Sequence, residues 1–396
     1  MRMKFNNLNK FIINFFLISL FTFLVFEIAL TFLLSQKGKN KNLESIQYSN
    51  KLSDLVHESN LNKKFFRTII GNQPNLYKKE IEFKTDSIGA ILPSSFDNIS
   101  SNENYILFCG GSTTEASQVD MNKRPTDVFT RISGIKSINL AKSGKTLNGC
   151  ISTIKNYILM IENHHKEIPY PTNYVIATNY NALMEFGRYE YKKNEYIKKN
   201  SLYRSNLIKL ISKIINKRYL NFLFGINIST YEHALLEGCC FGASQINSKE
   251  LSPRVINWED DKVKISYKNF LNKSFNELNN YLNKMGISNN KIFLAIEPNS
   301  FNIKYDKLFR SYWKGFDSRH VLKSYEGDKL SLINSSNILK EFNQIYIDAA
   351  ILNNFQIIIQ ELDKIPDFSF YDSVHTTDTG SEFIGKTYAD NIKIKK

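Results

Sequence analysis

An apolar run, Tyr105-Ile106-Leu107-Phe108-Cys109, leads straight into Gly110-Gly111-Ser112-Thr113-Thr114. This join constrains the fold more than any other feature of the chain. A short apolar run bounded by glycine reads as a buried strand. A serine just past the strand end, behind two glycines, can present its hydroxyl at the carboxyl edge of a sheet. The glycines permit a tight turn and let a substrate come close to the backbone. Open α/β sheets bind their ligands at that edge. Taken alone, the pentapeptide reads equally as a Gly-rich turn with a capping Ser or Thr.

Asp372-Ser373-Val374-His375, near the other end, supplies what a serine would need. A hydroxyl is a poor nucleophile until a base takes its proton. An imidazole does this near neutral pH, and a carboxylate fixes its tautomer and stabilises the imidazolium. Asp and His three apart, on a loop entering the last helix, can meet side chain to side chain. The order along the chain is Ser, Asp, His. The turn is not a G-x-S-x-G elbow, because Thr114 stands where the last glycine would be.

Together the two stretches resemble the SGNH (GDSL-like) hydrolase family, in its variant with G-G-S-T-T in the first block. Asp372-x-x-His375, followed by Gly380, is similar to that family's last block. Asn139-Leu140-Ala141-Lys142-Ser143-Gly144 is similar to its glycine block, and Asn179-Tyr180-Asn181-Ala182-Leu183 is a degenerate match to its G-x-N-D block. Leu294-Ala295-Ile296-Glu297-Pro298 looks like the strand-and-proline segment that such proteins carry before their final helices. The resemblance runs from about Tyr105 to the C-terminus, minus one insertion.

What it implies is a three-layer α/β/α, flavodoxin-like fold with a parallel sheet, and ester chemistry without cofactor or metal. Ser112 is the implied nucleophile, His375 the base, and Asp372 the residue that orients it. The implied oxyanion hole is the backbone N–H of Ser112, the backbone N–H of Gly144 and an Asn side-chain amide. If Asn179 is that Asn, Ala177 stands for the block's Gly and Tyr180 for its Asp. If Asn181 is, Asn179 stands for the Gly and Ala182 for the Asp. Asn181 is preferred, since Ala182-Leu183 then fits the end of the block; in both registers the Asp is missing. The implied function is a serine esterase on acyl esters, with O-acetyl esters of cell-envelope glycans as one class. An O-acyltransferase using the same triad, or a non-catalytic envelope protein keeping the fold, are the alternatives.

The rest of the domain reads as alternating elements. Strands are expected at Lys136–Asn139, Asn173–Thr178, Lys291–Ile296 and Phe355–Ile359. Helices are expected at Gly149–Ile161, Phe270–Met285 and Ser335–Asn353, with a closing helix after His375. Such alternation argues for a parallel sheet covered on both faces. The domain proper is placed at residues 104–396, with an insertion at about 185–260. Within it, Leu207, Ile208, Ile211, Ile214 and Ile215 fall on one helical face among basic residues. That face reads as an ordinary amphipathic helix packed on the domain, in preference to one lying on an anionic membrane. Residues 36–103 read as a lead-in, with a strand and turn at Phe83–Gly89 and a Ser/Asn-rich linker at Ser94–Asn104.

The first ten residues carry Arg2, Lys4 and Lys10. Phe11 to Ser35 is then nearly all apolar, long enough to span a bilayer. A cleaved signal peptide has a shorter apolar core and a small-x-small site, which is not evident here. The expectation is a cytoplasmic tail (1–10), one transmembrane helix (11–35) and an exported domain, periplasmic or at the cell surface. Glu27 lies within that span and is costly if charged. The formal net charge is +14. With no basic-aromatic nucleic-acid module, this fits an anionic lipid or acidic polysaccharide better than nucleic acid. The partners expected are an acylated small molecule or glycan, and the membrane. The four cysteines do not form a disulfide framework; Cys239 and Cys240 are adjacent, and a Cys150 bridge to either stays open. No His/Cys cluster has metal-ligand spacing, and His164-His165 reads as solvent-exposed.

Overall fold

The computed structural model describes residues 51–66, 80–183, 185–187, 260–298, 332–360, 362–367, 369–370 and 375–393, with positions 18, 19, 22, 25 and 258. Side chains at 332–336 and 362 lie outside this description. Nearly all of these residues belong to one unit, Ile46–Ile197 with His233–Lys396. In the other unit, Met1–Ser45 with Lys198–Glu232, only Ile18, Ser19, Thr22 and Val25 are described. They are helical and exposed, and the Thr22 hydroxyl donates to the Ile18 carbonyl at 2.8 Å. Among the described residues no helix is long and apolar enough to cross a membrane. The expected span at 11–35, the helical face at 207–215, Cys239, Cys240 and Asp372 lie outside them, apart from those four positions.

The domain is an α/β structure built on a five-stranded parallel sheet. Its strands are β3 (Tyr105–Gly110), β4 (Lys136–Asn139), β5 (Asn173–Ala177), β6 (Ile292–Ile296) and β7 (Gln356–Ile359), ordered β4-β3-β5-β6-β7. All six residues of β3 and all five of β6 are buried. Continuous apolar runs are what a parallel sheet with both faces covered demands. One face is covered by α4 (Leu147–His164), α5 (Asp261–Lys284) and α6 (Leu332–Leu352), whose Ile154, Leu278 and Tyr346 join one core with Leu107 and Leu294. The other is covered by α3 (Pro125–Ser133) and α7 (Asp378–Asn391), where Phe129, Ile384 and Tyr388 pack on Phe108 and Val175. The strand order is that of a flavodoxin-like sheet.

Local chemistry sets the helix ends. Thr146 caps α4 by accepting from Gly149 N–H, so the helix starts two residues before the expected Gly149. Asp260 caps α5, which begins nine residues before the expected Phe270 and buries Tyr267 and Leu271 ahead of Phe275 and Leu278. Helix α3 has no counterpart in the sequence reading; Pro125 opens it and Gly134, at φ +69°, closes it.

The described residues of the lead-in, 51–66 and 80–103, are structured and pack on the domain. They form a short helix α1 (Leu52–Leu55) and an antiparallel pair of β1 (Asn62–Phe66) with β2 (Glu80–Lys84). Val56, Ala90, Phe96 and Ile99 are buried in the same core as the sheet. Residues 94–104, read as a linker, supply two of these side chains. Phe96 also packs edge-on against His165, with ring centroids 5.0 Å apart. Arg124, wholly buried, donates to the carbonyls of Leu92 (2.7 Å) and Glu82 (2.9 Å) and lies over the Phe83 ring. One guanidinium thus holds the lead-in to the start of α3.

Cys150 is bonded to Cys109, with Cα atoms 5.6 Å apart and a sequence separation of 41. This corrects the open pairing of Cys150 with Cys239 or Cys240. The C-terminal end of β3 and the first turn of α4 meet side by side, and both cysteines face into the core they share.

Candidate active site

The Ser112 turn begins where β3 ends. Gly111 is the N-cap of a one-turn helix, α2 (Ser112–Glu115), and Ala116 closes it in the left-handed region at φ +48°. The two glycines are required by crowding, not by a positive φ: Gly111 has φ −84°. A Cβ on Gly110 would lie 2.3 Å from Thr114 Oγ1, and one on Gly111 would lie 2.1 Å from Asn181 Nδ2. The double glycine therefore lets protein, rather than substrate, come close to the turn.

His375 and Ser112, 263 residues apart, meet here: His375 Nε2 lies 2.7 Å from Ser112 Oγ. Ser112 is half-exposed and His375 is 8 % exposed. The imidazole is placed by the start of α7. Thr377 caps that helix, its N–H donates to Ser369 O at 2.8 Å, and Thr376 bridges to Phe370. Gly380 is needed because a Cβ there would lie 2.3 Å from Ser369 O.

The candidate oxyanion groups sit around the same edge. Gly144 follows β4 in a turn at φ +75°, a conformation glycine adopts freely. Asn181 follows β5, touches Gly111 through its amide, and donates from Nδ2 to Lys145 O at 2.8 Å. Asn179 points elsewhere. It is buried, accepts from Glu297 N–H at 2.9 Å and donates to Asn343 Oδ1 at 3.0 Å. Asn139 braces the Ser112 turn from beneath, donating to the carbonyl of Thr114 and to Thr126 Oγ1, both at 3.2 Å. Ser112, Gly144, Asn181 and His375 thus lie at the carboxyl ends of β3, β4, β5 and beyond β7.

Three buried ionisable side chains at this edge were not singled out from the sequence. Glu115, three residues after Ser112, accepts from the Ser143 hydroxyl and lies 2.9 Å from His57 Nε2. Burial raises its carboxyl pKa, but the contacts with His57 and Ser143 outweigh this and hold it below the ordinary value. Glu297, at the end of β6, accepts from Thr114 Oγ1 at 2.9 Å. Burial pushes it up to about 8, against the opposing effects of Thr114 and His375. Lys145 donates to Leu140 O at 2.5 Å, and burial with Lys142 nearby brings its ammonium down to about 7. Glu115 directly extends the G-G-S-T-T motif, and a carboxylate there was the available signal. Nothing in the spacing of His57 pointed to it.

No family model matches this chain, and no curated protein matches it. Solved structures similar to it include a carbohydrate acetylesterase from Sinorhizobium meliloti, at 10 % identity and TM-score 0.34, covering 73 % of this chain and 97 % of that one. A phospholipase A1 from Streptomyces albidoflavus NA297 is similar at 9 % identity and TM-score 0.32, covering 73 % and 98 %. So is a protein from Desulfitobacterium hafniense DCB-2 placed in the G-D-S-L lipolytic family, at 10 % identity and TM-score 0.33, covering 73 % and 100 %. Similarity at this level assigns no chemistry, which has to be read from the site.

Proposed function

We propose that this chain is a serine esterase of the SGNH type, acting on acyl esters. The observation that carries the reading is the 2.7 Å contact of His375 Nε2 with Ser112 Oγ at the carboxyl edge of a parallel sheet. In the proposed reaction Ser112 Oγ bonds to the acyl carbon while His375 Nε2 takes its proton. His375 then gives that proton to the leaving alcohol as the ester C–O bond breaks. Water, activated by His375, releases the acid and restores Ser112. Asp372 is assigned the role of holding the imidazole tautomer. The Ser112 and Gly144 N–H groups and the Asn181 amide are assigned to the oxyanion. Asn181 is favoured over Asn179 because its amide borders the Ser112 turn, whereas both ends of the Asn179 amide are engaged by β6 and α6.

We infer that residues 11–35 anchor the domain outside the cytoplasm, where O-acetyl esters of cell-envelope glycans are one class of acyl ester open to it. The Cys109–Cys150 bond supports export, since disulfides persist in oxidising compartments. A C-terminal reporter active only outside the cytoplasm should be on; a silent one sinks this topology.

The test of the reaction is turnover of nitrophenyl acetate, and of an O-acetylated glycan, by the parent and by His375→Ala. Parent acylation should slow as pH falls and His375 is protonated. His375→Ala should lose nearly all turnover while melting as a folded protein. Unchanged turnover in a folded His375→Ala variant rejects the reading.

A further inference from the structure

The carboxylate of Glu115 has no part in the proton transfers above, yet it is buried against the site. It sits on the same helical turn as Ser112, three residues on, and is 4 % exposed. Its Oε2 accepts the Ser143 hydroxyl. Ser143 is the residue before Gly144, whose φ of +75° turns the next peptide away. On the far side, the carboxylate meets His57 Nε2 at 2.9 Å. The neighbouring Lys142 ammonium donates to the carbonyl of Val56 at 2.6 Å. The lead-in is fixed at this point from behind as well: a Cβ on Gly89 would lie 2.2 Å from His57 O.

We propose that Glu115 is a positioning residue for the oxyanion site, and that His57 and Val56 of the lead-in belong to the same device. By accepting the Ser143 hydroxyl, Glu115 fixes the Lys142–Lys145 loop relative to the helix that carries Ser112. The Gly144 N–H is then held at a set place with respect to the serine oxygen. Oxyanion stabilisation depends on such pre-set donors, because they need no rearrangement as charge develops. The charge on Glu115 matters because an anion binds the Ser143 hydroxyl and the His57 imidazole more strongly than a neutral amide does. A glutamine in its place would also turn an N–H₂ toward donors. Lys142 and His57 add a second tie, so residues well upstream of the Ser112 motif help to shape the site.

The proposal rests on the esterase reading, and full-length variants separate the two. The measurements are kcat and KM for nitrophenyl acetate, with thermal melts recorded alongside. Glu115→Gln should lower kcat by roughly tenfold to a hundredfold, up to the loss of a single oxyanion donor, with KM little changed. Ser143→Ala removes the hydroxyl donor but leaves the His57 contact, and should lose less. Lys142→Met and His57→Ala should each lower kcat modestly, while His57→Gln should recover part of that loss. A parent that turns over ester, with a folded Glu115→Gln variant at the parent's kcat, overturns the proposal and leaves the esterase reading standing. A fall in kcat matched by a rise in KM, with Ser143→Ala unaffected, would also overturn it, since that is the signature of general loosening. A well-folded parent with no ester turnover removes the esterase reading and the proposal with it.

Discussion

The Ser112 turn is flanked by two buried glutamates that behave in opposite ways. On the β4–β3–β5 flank, Glu115 keeps its charge, held below the ordinary carboxylate pKa by His57 and Ser143. On the β6 flank, Glu297 has the Thr114 hydroxyl as its close partner, and burial pushes its pKa up to about 8. Both side chains are buried, so burial alone does not set the charge; the number and kind of donors does. The two asparagines divide in the same way. Asn181 belongs to the first flank and borders the serine turn, while Asn179 belongs to the second and ties β5 to β6 and α6. The flank with the charged network is the one that carries the proposed oxyanion groups. The other is a packed floor whose polar groups face one another.

This contrast can be broken by exchanging the asparagines first. Asn181→Ala should slow covalent labelling of Ser112 by an active-serine phosphonate by about a hundredfold, equivalent to about 3 kcal/mol for a lost oxyanion donor. Asn179→Ala should label nearly as fast as the parent and instead melt at lower temperature. Should Asn179→Ala be the slow variant, the two flanks have been assigned the wrong way round.

The glutamates give a smaller effect, read as stability against pH. Glu297 has a folded pKa raised to about 8 from an ordinary value of 4.5. Between those values the folded chain keeps a proton that the unfolded chain has released. Its contribution therefore falls as pH rises through that window and is flat above it. Glu297→Gln keeps an acceptor for Thr114 and removes the dependence. It should gain on the parent from about pH 4.5 to about pH 8, by on the order of a few kcal/mol. Glu115 has the opposite sign. Its contribution is full above the ordinary carboxylate value and is lost as pH falls through its depressed folded value. Glu115→Gln should therefore be less stable than the parent at neutral pH, with the difference narrowing in acid. Parallel curves for the two variants would show that the flanks do not differ in charge.

Much of this arrangement was legible before the structure. The apolar runs within 105–109, 173–178 and 291–296 announce buried parallel strands because each lacks the alternation of a half-exposed strand, whereas the polar Lys136–Asn139 was legible only as the lead into the glycine block. The join of Tyr105–Cys109 to Gly110-Gly111-Ser112 points to the candidate site because strand ends are where an α/β sheet leaves room. What could not be read was long-range polar contact. Glu115 and His57 are 58 residues apart in sequence and carry no spacing pattern; only packing of the lead-in joins them. A Ser/Asn-rich composition made 94–104 look like a linker, yet Phe96 and Ile99 anchor it in the core. Cys109 and Cys150 lie on different element types, so neither period of 2 nor period of 3.6 relates them. The glycines were read as room for substrate, whereas Thr114 and Asn181 fill the space beside them.

The proposed reaction depends most on Ser112 being a nucleophile activated by His375. The direct measurement is covalent labelling by an active-serine phosphonate, with the modified residue mapped by mass spectrometry. Activation of Ser112 by His375 predicts one adduct, on Ser112, in the parent, and none in a folded Ser112→Ala variant. It also predicts a labelling rate that falls steeply in His375→Ala. Labelling of Ser112→Ala at the parent's rate, on another residue, would contradict it.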